Sequence, residues 1–136
     1  MKDRYLFKAK RIDNGEWVQG ALLLHDTGAA TIFNQHPADG SLQGFEVDQS
    51  TICQCTGLKD KNGNLIWEND IVGYLDTYST ENGHAEADCY GNVVWDGETL
   101  SFQVTNRLSA ESYEVLDECS VIGNIFDNPQ LLESEE

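Results

Sequence analysis

Apolar and polar residues alternate with a period of two in several short segments of the chain, and an Asn-Gly or Asp-Gly pair interrupts three of these segments. The pairs are Asn14-Gly15, Asn62-Gly63 and Asp96-Gly97. Alternation is typical of strands with one buried face, and such pairs favour the two-residue type I′ turn of a β-hairpin. The pattern therefore predicts three antiparallel hairpins and an all-β fold.

The register of a hairpin, counted outward from a two-residue turn, predicts which residues share a face. In the first hairpin this register places Ile12 opposite Trp17. One face then collects Tyr5, Phe7, Ala9, Val18, Gly20, Leu22 and Leu24. In the third hairpin one face collects Cys89, Gly91, Val93, Trp95, Leu100, Phe102 and Val104. We expect both faces to be core, with Phe7, Leu22, Leu100 and Phe102 buried.

The central stretch, Thr56 to Tyr74, combines the second hairpin with a further change of direction. Its two-residue turn places Asp60 opposite Leu65. The predicted faces are Leu58, Leu65 and Trp67 on one side and Lys59 and Ile66 on the other. Glu68-Asn69-Asp70 then redirects the chain, and Asn69 suits this turn because asparagine tolerates positive φ.

The remaining segments have weaker patterns. We expect a short strand at Thr31–Phe33, a loop at Asn34–Gly44, a strand at Phe45–Cys55, a mobile loop at Asp76–Asp88 and a final strand at Val121–Phe126. The residues of 76–88 are nearly all small, polar or acidic, and such a segment buries little surface. Glu111–Asp117 is either a strand or one helical turn, and Pro129 is predicted to begin a turn that carries Leu131 and Leu132.

Four pieces of the chain resemble the YopX family of phage and prophage proteins, in the expected order. They are Glu16–Gly20, Thr56–Tyr74, Val94–Phe102 and Ser120–Pro129. The chain departs from the family pattern in having Asn69 where glycine is usual, and Cys53 and Cys55 where glycine and an aromatic residue are usual. The resemblance implies an all-β protein with a small SH3-like barrel, and it implies no established activity.

With that fold, we expect an N-terminal β-hairpin region at 1–55, the barrel at 56–126 with its loop at 76–88, and a C-terminal turn and acidic tail at 127–136. A single compact domain over 1–132 is the alternative. No N-terminal apolar run and no stretch of about 18 apolar residues is present, so neither a signal peptide nor a membrane span is predicted. We therefore expect the cytoplasm of a bacterial host, where cysteines stay reduced.

The formal charge of the chain is −16, and acidic residues are concentrated in its second half. Residues 1–60 contain 6 basic and 8 acidic side chains, whereas residues 61–136 contain 2 basic and 16 acidic ones. Such a charge steers cationic partners and repels nucleic acid. The basic cluster of Lys2, Arg4, Lys8, Lys10 and Arg11 is interpreted as internal charge balance, with a binding arm as the alternative.

Several residue groups have to be weighed as sites. Cys53 and Cys55 could contribute to a zinc site with Cys89, Cys119 or a histidine, but C-x-C on a strand suits tetrahedral geometry poorly, so buried apolar packing is favoured. His25, His36 and His84, with Ser41 and Ser79, form no nucleophile elbow, although a triad could still assemble in space. Glu68 and Asp70 are interpreted as turn formers rather than acid–base groups. Trp17, Trp67 and Trp95 are interpreted as packing residues rather than a nucleic-acid platform.

The sequence therefore assigns no catalytic, cofactor-binding or metal-ligating residue and no cofactor. The first hypothesis is a non-enzymatic, phage- or prophage-encoded interaction module that binds a host or phage protein, with homo-oligomerisation left open. The second is a nucleic-acid-associated accessory protein that uses the basic first strand, and the third is an enzyme with an unrecognised site. Membrane association is not expected.

Overall fold

The structure, a computed structural model, describes residues 5–98, 100–105, 112–114 and 119–132. Its regular elements are eleven strands in two antiparallel sheets, together with short 3₁₀ turns, so the predicted all-β class is confirmed. The chain divides into two compact units, Met1–Gly57 (unit 1) and Leu58–Glu136 (unit 2). None of the helical turns in the described ranges is long and apolar enough to cross a membrane.

Unit 1 contains the strands β1 (Phe7–Lys10), β2 (Trp17–Leu24), β3 (Ala30–Gln35), β4 (Leu42–Val47) and the larger part of β5 (Cys53–Lys59). They lie in the order β4–β3–β2–β1–β5. The predicted single strand Phe45–Cys55 is wrong, because a 3₁₀ turn at Gln49–Thr51 separates β4 from β5. Asp48 caps this turn by accepting hydrogen bonds from the Ser50 amide (3.0 Å) and hydroxyl (2.8 Å). The predicted loop 34–44 is shorter than expected, because β3 extends to Gln35 and β4 begins at Leu42.

The first hairpin has the predicted faces but a different register. Lys10 lies opposite Trp17, where Ile12 was expected, and Ala9 lies opposite Val18. The loop is longer than two residues, since the Arg11 amide donates to the Glu16 carbonyl at 2.8 Å. A shift of two residues leaves every side chain on its original face, so the predicted core face survives.

The core of unit 1 is formed by the inward side chains of four strands. The buried residues are Ala9, Val18, Ala30, Ile32 and Val47, with Phe7, Leu22, Phe45 and Ile52 partly buried against them. Phe7 and Leu22, predicted to be buried, are only partly buried against this core, and the outer members of the predicted face, Tyr5 and Leu24, are exposed. Close packing at Gly20 requires glycine, because a Cβ there would lie 2.1 Å from the Phe33 carbonyl oxygen.

Unit 2 begins with the end of β5, which forms a hairpin with β6 (Leu65–Trp67). It continues with β7 (Asp70–Thr80), β8 (Gly83–Asp96), β9 (Ser101–Thr105), β10 (Ser112–Glu114) and β11 (Ser120–Asn124). These five strands lie in the order β10–β9–β8–β7–β11. The core residues are Ile66, Val72, Val93, Val104 and Cys119, with Tyr74, Phe102 and Val121 packed against them.

The ambiguous and terminal segments of unit 2 are partly resolved. Ser112–Glu114 forms a strand, and the rest of the ambiguous segment 111–117 lies outside the described residues. The final strand is confirmed at Ser120–Asn124, and the predicted turn is confirmed as 3₁₀ at Pro129–Leu132.

Residues 76–88 do not form the mobile loop that their composition predicts. They belong to β7 and β8, which pair continuously from Ile71 opposite Asn92 to Thr80 opposite Gly83. The prediction is wrong because it counted only side-chain burial, whereas a two-stranded ribbon extends a sheet through main-chain hydrogen bonds. Threonine and tyrosine in this segment also favour extended backbone.

The third hairpin also keeps its predicted faces with a longer loop. Asp96 lies opposite Ser101 and Trp95 opposite Phe102, so the loop spans residues 97–100 rather than two residues. Leu100 therefore lies in the turn with a φ of 55° and is 72% exposed. Its predicted burial is wrong, while Phe102 packs against the core as expected.

In the second hairpin the predicted type I′ turn is wrong. The Asp60 amide donates to the Asn64 carbonyl (2.8 Å) and the Gly63 amide donates to the Asp60 carbonyl (3.0 Å). This is a three-residue loop in which Gly63 takes a φ of 84° and Asn62 does not take positive φ. Asp60 therefore faces Asn64 rather than Leu65. The two predicted faces do not separate into a buried and an exposed one, because Ile66 and Trp67, predicted on opposite faces, are both buried while Leu58 is 46% exposed.

Candidate functional site

The carboxylate of Asp60 is a buried group of unit 2 that organises the hairpin turn and β11. Its side chain is only 5% exposed. One oxygen accepts the amides of Asn62 and Asn64, each at 2.9 Å, and the other accepts the amide of Val121 at 2.9 Å. Sequence reasoning missed this role, although aspartate before Asn-Gly-Asn is a signal for side-chain capping of a turn.

The electrostatics of Asp60 follow from this geometry. Burial raises the pKa of Asp60, but the amides of Val121, Asn64 and Asn62 lower it by more, so its pKa lies below the usual range. Hydrogen bonds from main-chain amides stabilise the charged form of a carboxylate. The ionised side chain is thereby committed to three main-chain donors.

The second turn of the central stretch is also built from the main chain. Asn69 has a φ of 73°, which confirms its predicted conformation. Its amide donates to the Val93 carbonyl (2.8 Å), and its carbonyl accepts the amide of Ile125 (3.0 Å). Asp70 is buried and accepts the Trp67 amide at 2.8 Å, as expected of a turn former. The central stretch therefore bonds to three other parts of unit 2, which are β8, β11 and the segment that follows β11.

The cysteines lie mainly in buried positions. Cys53, Cys55 and Cys119 are buried, and Cys89 is partly buried. The Cys53 thiol donates to the Thr51 carbonyl at 3.2 Å. Within the ranges that the structure describes, no group of three or more histidine, cysteine, aspartate and glutamate residues could hold a metal ion.

One exposed turn brings a serine, an aspartate and a histidine together. The Ser41 amide and hydroxyl both donate to Asp39, at 3.0 and 2.7 Å, and His36 Nδ1 lies 3.6 Å from the same carboxylate. The hydrogen bonds from Ser41 lower the pKa of Asp39. The serine hydroxyl is bonded to the carboxylate and not to the imidazole, so the contact that would activate a nucleophile is not made here.

The other two histidines are placed differently. His25 lies at the start of a turn, with its Nε2 at 2.8 Å from the Thr31 hydroxyl. His84 lies opposite Ser79 in the β7–β8 pairing. The structure therefore places His36 and Ser41 in one turn and pairs His84 with Ser79 across the β7–β8 ribbon.

The basic residues of unit 1 lie against its own aromatic rings. Lys8 Nζ is 4.9 Å and Lys10 Nζ is 5.4 Å from the centre of the Trp17 ring, and the Arg11 guanidinium is 4.4 Å from the Phe45 ring. These distances are within the range of cation–π attraction. Lys2 and Arg4, the remaining members of the basic cluster, lie outside the described residues.

Arg11 also has an acidic partner. Its Nε and Nη2 atoms donate to Asp13 at 2.9 and 2.7 Å, and this pairing raises the pKa of Arg11 and lowers that of Asp13. Beside it lies an open cleft of about 580 Å³ whose charged lining is Lys10, Arg11, Glu46 and Asp48. The cleft presents both signs of charge, so it offers no single-sign binding site.

Unit 2 presents a different surface. Residues 62–106 contain no lysine or arginine and eight carboxylates, of which Glu81, Asp88 and Glu98 are exposed. Leu75 and Leu100 are exposed on the same unit, and Trp95 is 49% exposed. Of the three tryptophans, Trp67 is buried as expected. An acidic surface with exposed apolar side chains can attract and contact a cationic partner.

A family model described as YopX protein matches residues 6–133 of the chain. No curated protein matches it. The matched span includes all eleven strands and the main-chain network around the central stretch.

Proposed function

We propose that this chain, which belongs to the YopX family, is a non-enzymatic interaction module that binds a protein with a cationic surface. The charge of unit 2 is the observation that carries this proposal. Residues 58–136 contain 3 basic and 17 acidic residues, a net of −14, whereas residues 1–57 contain 5 basic and 7 acidic residues, a net of −2. A field of this sign accelerates encounter with cationic proteins and disfavours phosphate backbones.

Exposed apolar residues on unit 2 support a contact surface rather than a surface that only keeps the protein soluble. Leu75, Trp95 and Leu100 are exposed in the same part of the sequence that lacks basic residues. Protein interfaces commonly combine aromatic or aliphatic anchors with a polar rim. Carboxylates around apolar anchors suit a partner in which basic residues surround an apolar contact.

The use of the buried carboxylates supports a role other than catalysis. Asp60 and Asp70 both accept main-chain amides. A general acid or base has to reach a reacting group, and its pKa is usually tuned toward the working pH. The pKa of Asp60 is lowered, which takes it further from a working pH near neutrality. In this proposal neither carboxylate needs a cofactor.

The finer parts of the proposal rest on the family resemblance. We take the protein to be encoded by a phage or prophage and to act in the bacterial cytoplasm. A small SH3-like barrel is the architecture we propose for unit 2, supported by its five-stranded antiparallel sheet and the β5–β6 hairpin. An experimental structure that left the ends of this sheet far apart would contradict the barrel.

Chemical cross-linking in a host lysate, followed by mass spectrometry, tests the protein-binding role. The bait is the full chain with Glu81→Gln, Asp88→Asn and Glu98→Gln together, compared with wild type. A control bait of unit 1 carries Glu16→Gln, Asp26→Asn and Glu46→Gln, which removes the same charge. We expect wild type and control to capture a basic protein that the unit 2 variant loses. Equal capture by all three baits would contradict the role of unit 2.

A nucleic-acid-associated accessory protein is the second candidate, favoured by the two lysines over the Trp17 ring. Single-stranded nucleic acids are bound by basic residues combined with aromatic stacking platforms. Retention of the full chain on heparin at low salt, lost on Lys8→Gln with Lys10→Gln, would favour this candidate. Elution without retention would favour the protein-binding role.

A further inference from the structure

Trp95 lies where the core face of the β8–β9 hairpin ends. It pairs directly with Phe102, on the face that also holds the pair Val93 and Val104. These two valines are buried and Phe102 is partly buried, whereas Trp95 is 49% exposed. The ring of Phe102 meets that of Trp95 edge-on, with centroids 5.1 Å apart and planes at 74°. The hairpin thus holds an indole ring in a fixed orientation with much of its surface in water.

An acidic turn follows this ring in the chain. The Asp96 side chain lies on the opposite face of β8 and caps the turn, whereas Glu98 lies within the turn. Asp96 follows Trp95 directly, and its Oδ1 accepts the amide of Glu98 at 2.9 Å. Glu98 and Leu100 in the same turn are exposed. Since residues 62–106 contain no lysine or arginine, the local sequence provides this ring with acidic neighbours and no basic ones.

Trp17 of unit 1 is another partly exposed tryptophan, and its surroundings differ from those of Trp95. The Trp17 ring has Lys8 Nζ at 4.9 Å and Lys10 Nζ at 5.4 Å from its centre. Within the described ranges, the ring contact of Trp95 is with Phe102 rather than with a basic residue. An indole ring is the best side-chain acceptor for a cation–π contact. The two tryptophans therefore differ in whether the chain supplies the cation.

We propose that Trp95, with the exposed Glu98 of the following turn, is the docking site for an arginine-containing segment of the partner protein. This inference rests on the proposed protein-binding function and names the chemistry of the contact. A guanidinium group stacks on an aromatic face and pairs with a carboxylate through its forked donors, which an ammonium group cannot do. The site therefore selects arginine over lysine, and Leu100 offers an apolar contact for the stem of the side chain.

Peptides of defined sequence test the site while the partner itself is unidentified. The probe is an Arg-Gly-Ser repeat peptide, with the matched Lys-Gly-Ser peptide as comparison, titrated into the full chain with Trp17→Phe. This background leaves fluorescence from unit 2 only. We expect the arginine peptide to perturb the fluorescence and to bind several-fold more tightly than the lysine peptide.

Variants locate the contact by amide chemical shifts and calorimetry, since they alter the fluorophore. We expect Trp95→Ala, and also Glu98→Gln, to weaken the binding of the arginine peptide by about fivefold to tenfold. Trp95→Phe, which keeps an aromatic ring and protects the fold, should show a smaller loss. The matched controls Glu46→Gln, an exposed carboxylate of unit 1, and Trp17→Phe should bind as wild type does.

Four results would overturn the site. Equal binding by Trp95→Phe, Trp95→Ala and wild type would exclude the ring, and equal losses from Glu46→Gln and Glu98→Gln would indicate general charge attraction. Self-association abolished by Trp95→Ala would identify a second copy of this chain as the occupant, and tighter binding of an oligonucleotide than of the peptide would identify nucleic acid.

The site and the proposed function can fail separately. If lysate capture depends on unit 2 but peptide binding does not depend on Trp95, the proposed function stands and the site fails. If capture fails while peptide binding depends on Trp95, the function fails instead.

Discussion

Replacement of Asp60 tests whether the central stretch is a structural centre of unit 2. The Asp60→Ala substitution removes the acceptor of three amide hydrogen bonds, those of Asn62, Asn64 and Val121. The first two amides belong to the hairpin loop, and the third belongs to β11, at a sequence separation of 61. The hairpin loop and β11 should therefore both lose stability in this variant.

The expected magnitude follows from the hydrogen bonds. A hydrogen bond to a charged group contributes roughly 1.5 to 3 kcal/mol, and amides left near the surface regain part of this from water. Asp60→Ala should therefore lower the free energy of unfolding of unit 2 by about 3 to 5 kcal/mol. Asp60→Asn keeps one oxygen for the loop amides but turns an NH₂ group toward the Val121 amide. Its loss should be about 1 to 3 kcal/mol.

Urea unfolding followed by tryptophan fluorescence measures this loss. In a Trp17→Phe background both remaining tryptophans, Trp67 and Trp95, belong to unit 2. Hydrogen exchange gives a local check, since the Val121 amide should lose protection in Asp60→Asn while the Asn64 amide keeps it. The control Asp48→Asn alters an exposed turn cap and should move the midpoint far less. An unchanged midpoint in Asp60→Ala would refute the structural interpretation.

The dependence on pH gives a second check of the same residue. The folded-state pKa of Asp60 is lowered, while an unfolded aspartate titrates near about 3.9. The charged carboxylate therefore stabilises the fold above the unfolded pKa, and this stability is lost as pH falls through the folded pKa. The difference in stability between wild type and Asp60→Asn should be constant near neutral pH and should shrink below about pH 4. A difference that grows on acidification would contradict the lowered pKa.

Three further predictions concern particular positions and one concerns the whole chain. Asn69→Gly should be neutral or mildly stabilising in thermal melts and Asn69→Val clearly destabilising, because the φ of 73° resists a β-branched residue; equal melting temperatures would count against this. Gly20→Ala should prevent or strongly weaken folding of unit 1, since its Cβ would lie 2.1 Å from a carbonyl oxygen of β3, whereas Gly15→Ala, with open space around it, should cost about 1 kcal/mol. Leu100→Ala should change the free energy of unfolding by less than about 0.5 kcal/mol, while Phe102→Ala should lower it by roughly 2 to 5 kcal/mol. Similar losses in the two variants would indicate that Leu100 is buried after all. Melts in excess chelator and reductant should match those without them, and bound zinc in native mass spectrometry would contradict this expectation.

The faces of a hairpin were predicted correctly where the predicted pairing was wrong by an even number of residues. In the first hairpin the pairing moved by two residues, so Ala9 and Val18 kept the core face. The second hairpin differs because its loop has three residues, and an odd change exchanges the two faces of one strand relative to the other. The Asn-Gly and Asp-Gly pairs therefore predicted the positions of the hairpins correctly, but they did not predict the lengths of the loops.

The site residues were harder to predict, because their partners are distant in sequence. The interpretation of Asp70 as a turn former needed only a neighbour, the Trp67 amide, and it is confirmed. The role of Asp60 depends on Val121, which no local pattern connects to it. The ribbon at 76–88 was missed for a related reason, since main-chain pairing between β7 and β8 leaves little trace in side-chain polarity.

The position of the central stretch determines how any loss of binding has to be interpreted. Asp60 and Asn69 bond the main chain of other segments, and Asp70 bonds the nearby Trp67 amide, so replacing any of them changes the packing of unit 2. A variant of these residues that loses a partner therefore gives no information about where the partner binds. Trp95 and Glu98 are not among the residues that make these contacts, and their exposure allows substitution with little change in the core. Loss of binding in Trp95→Phe or Glu98→Gln, at unchanged stability, is the result that separates contact with a partner from support of the fold.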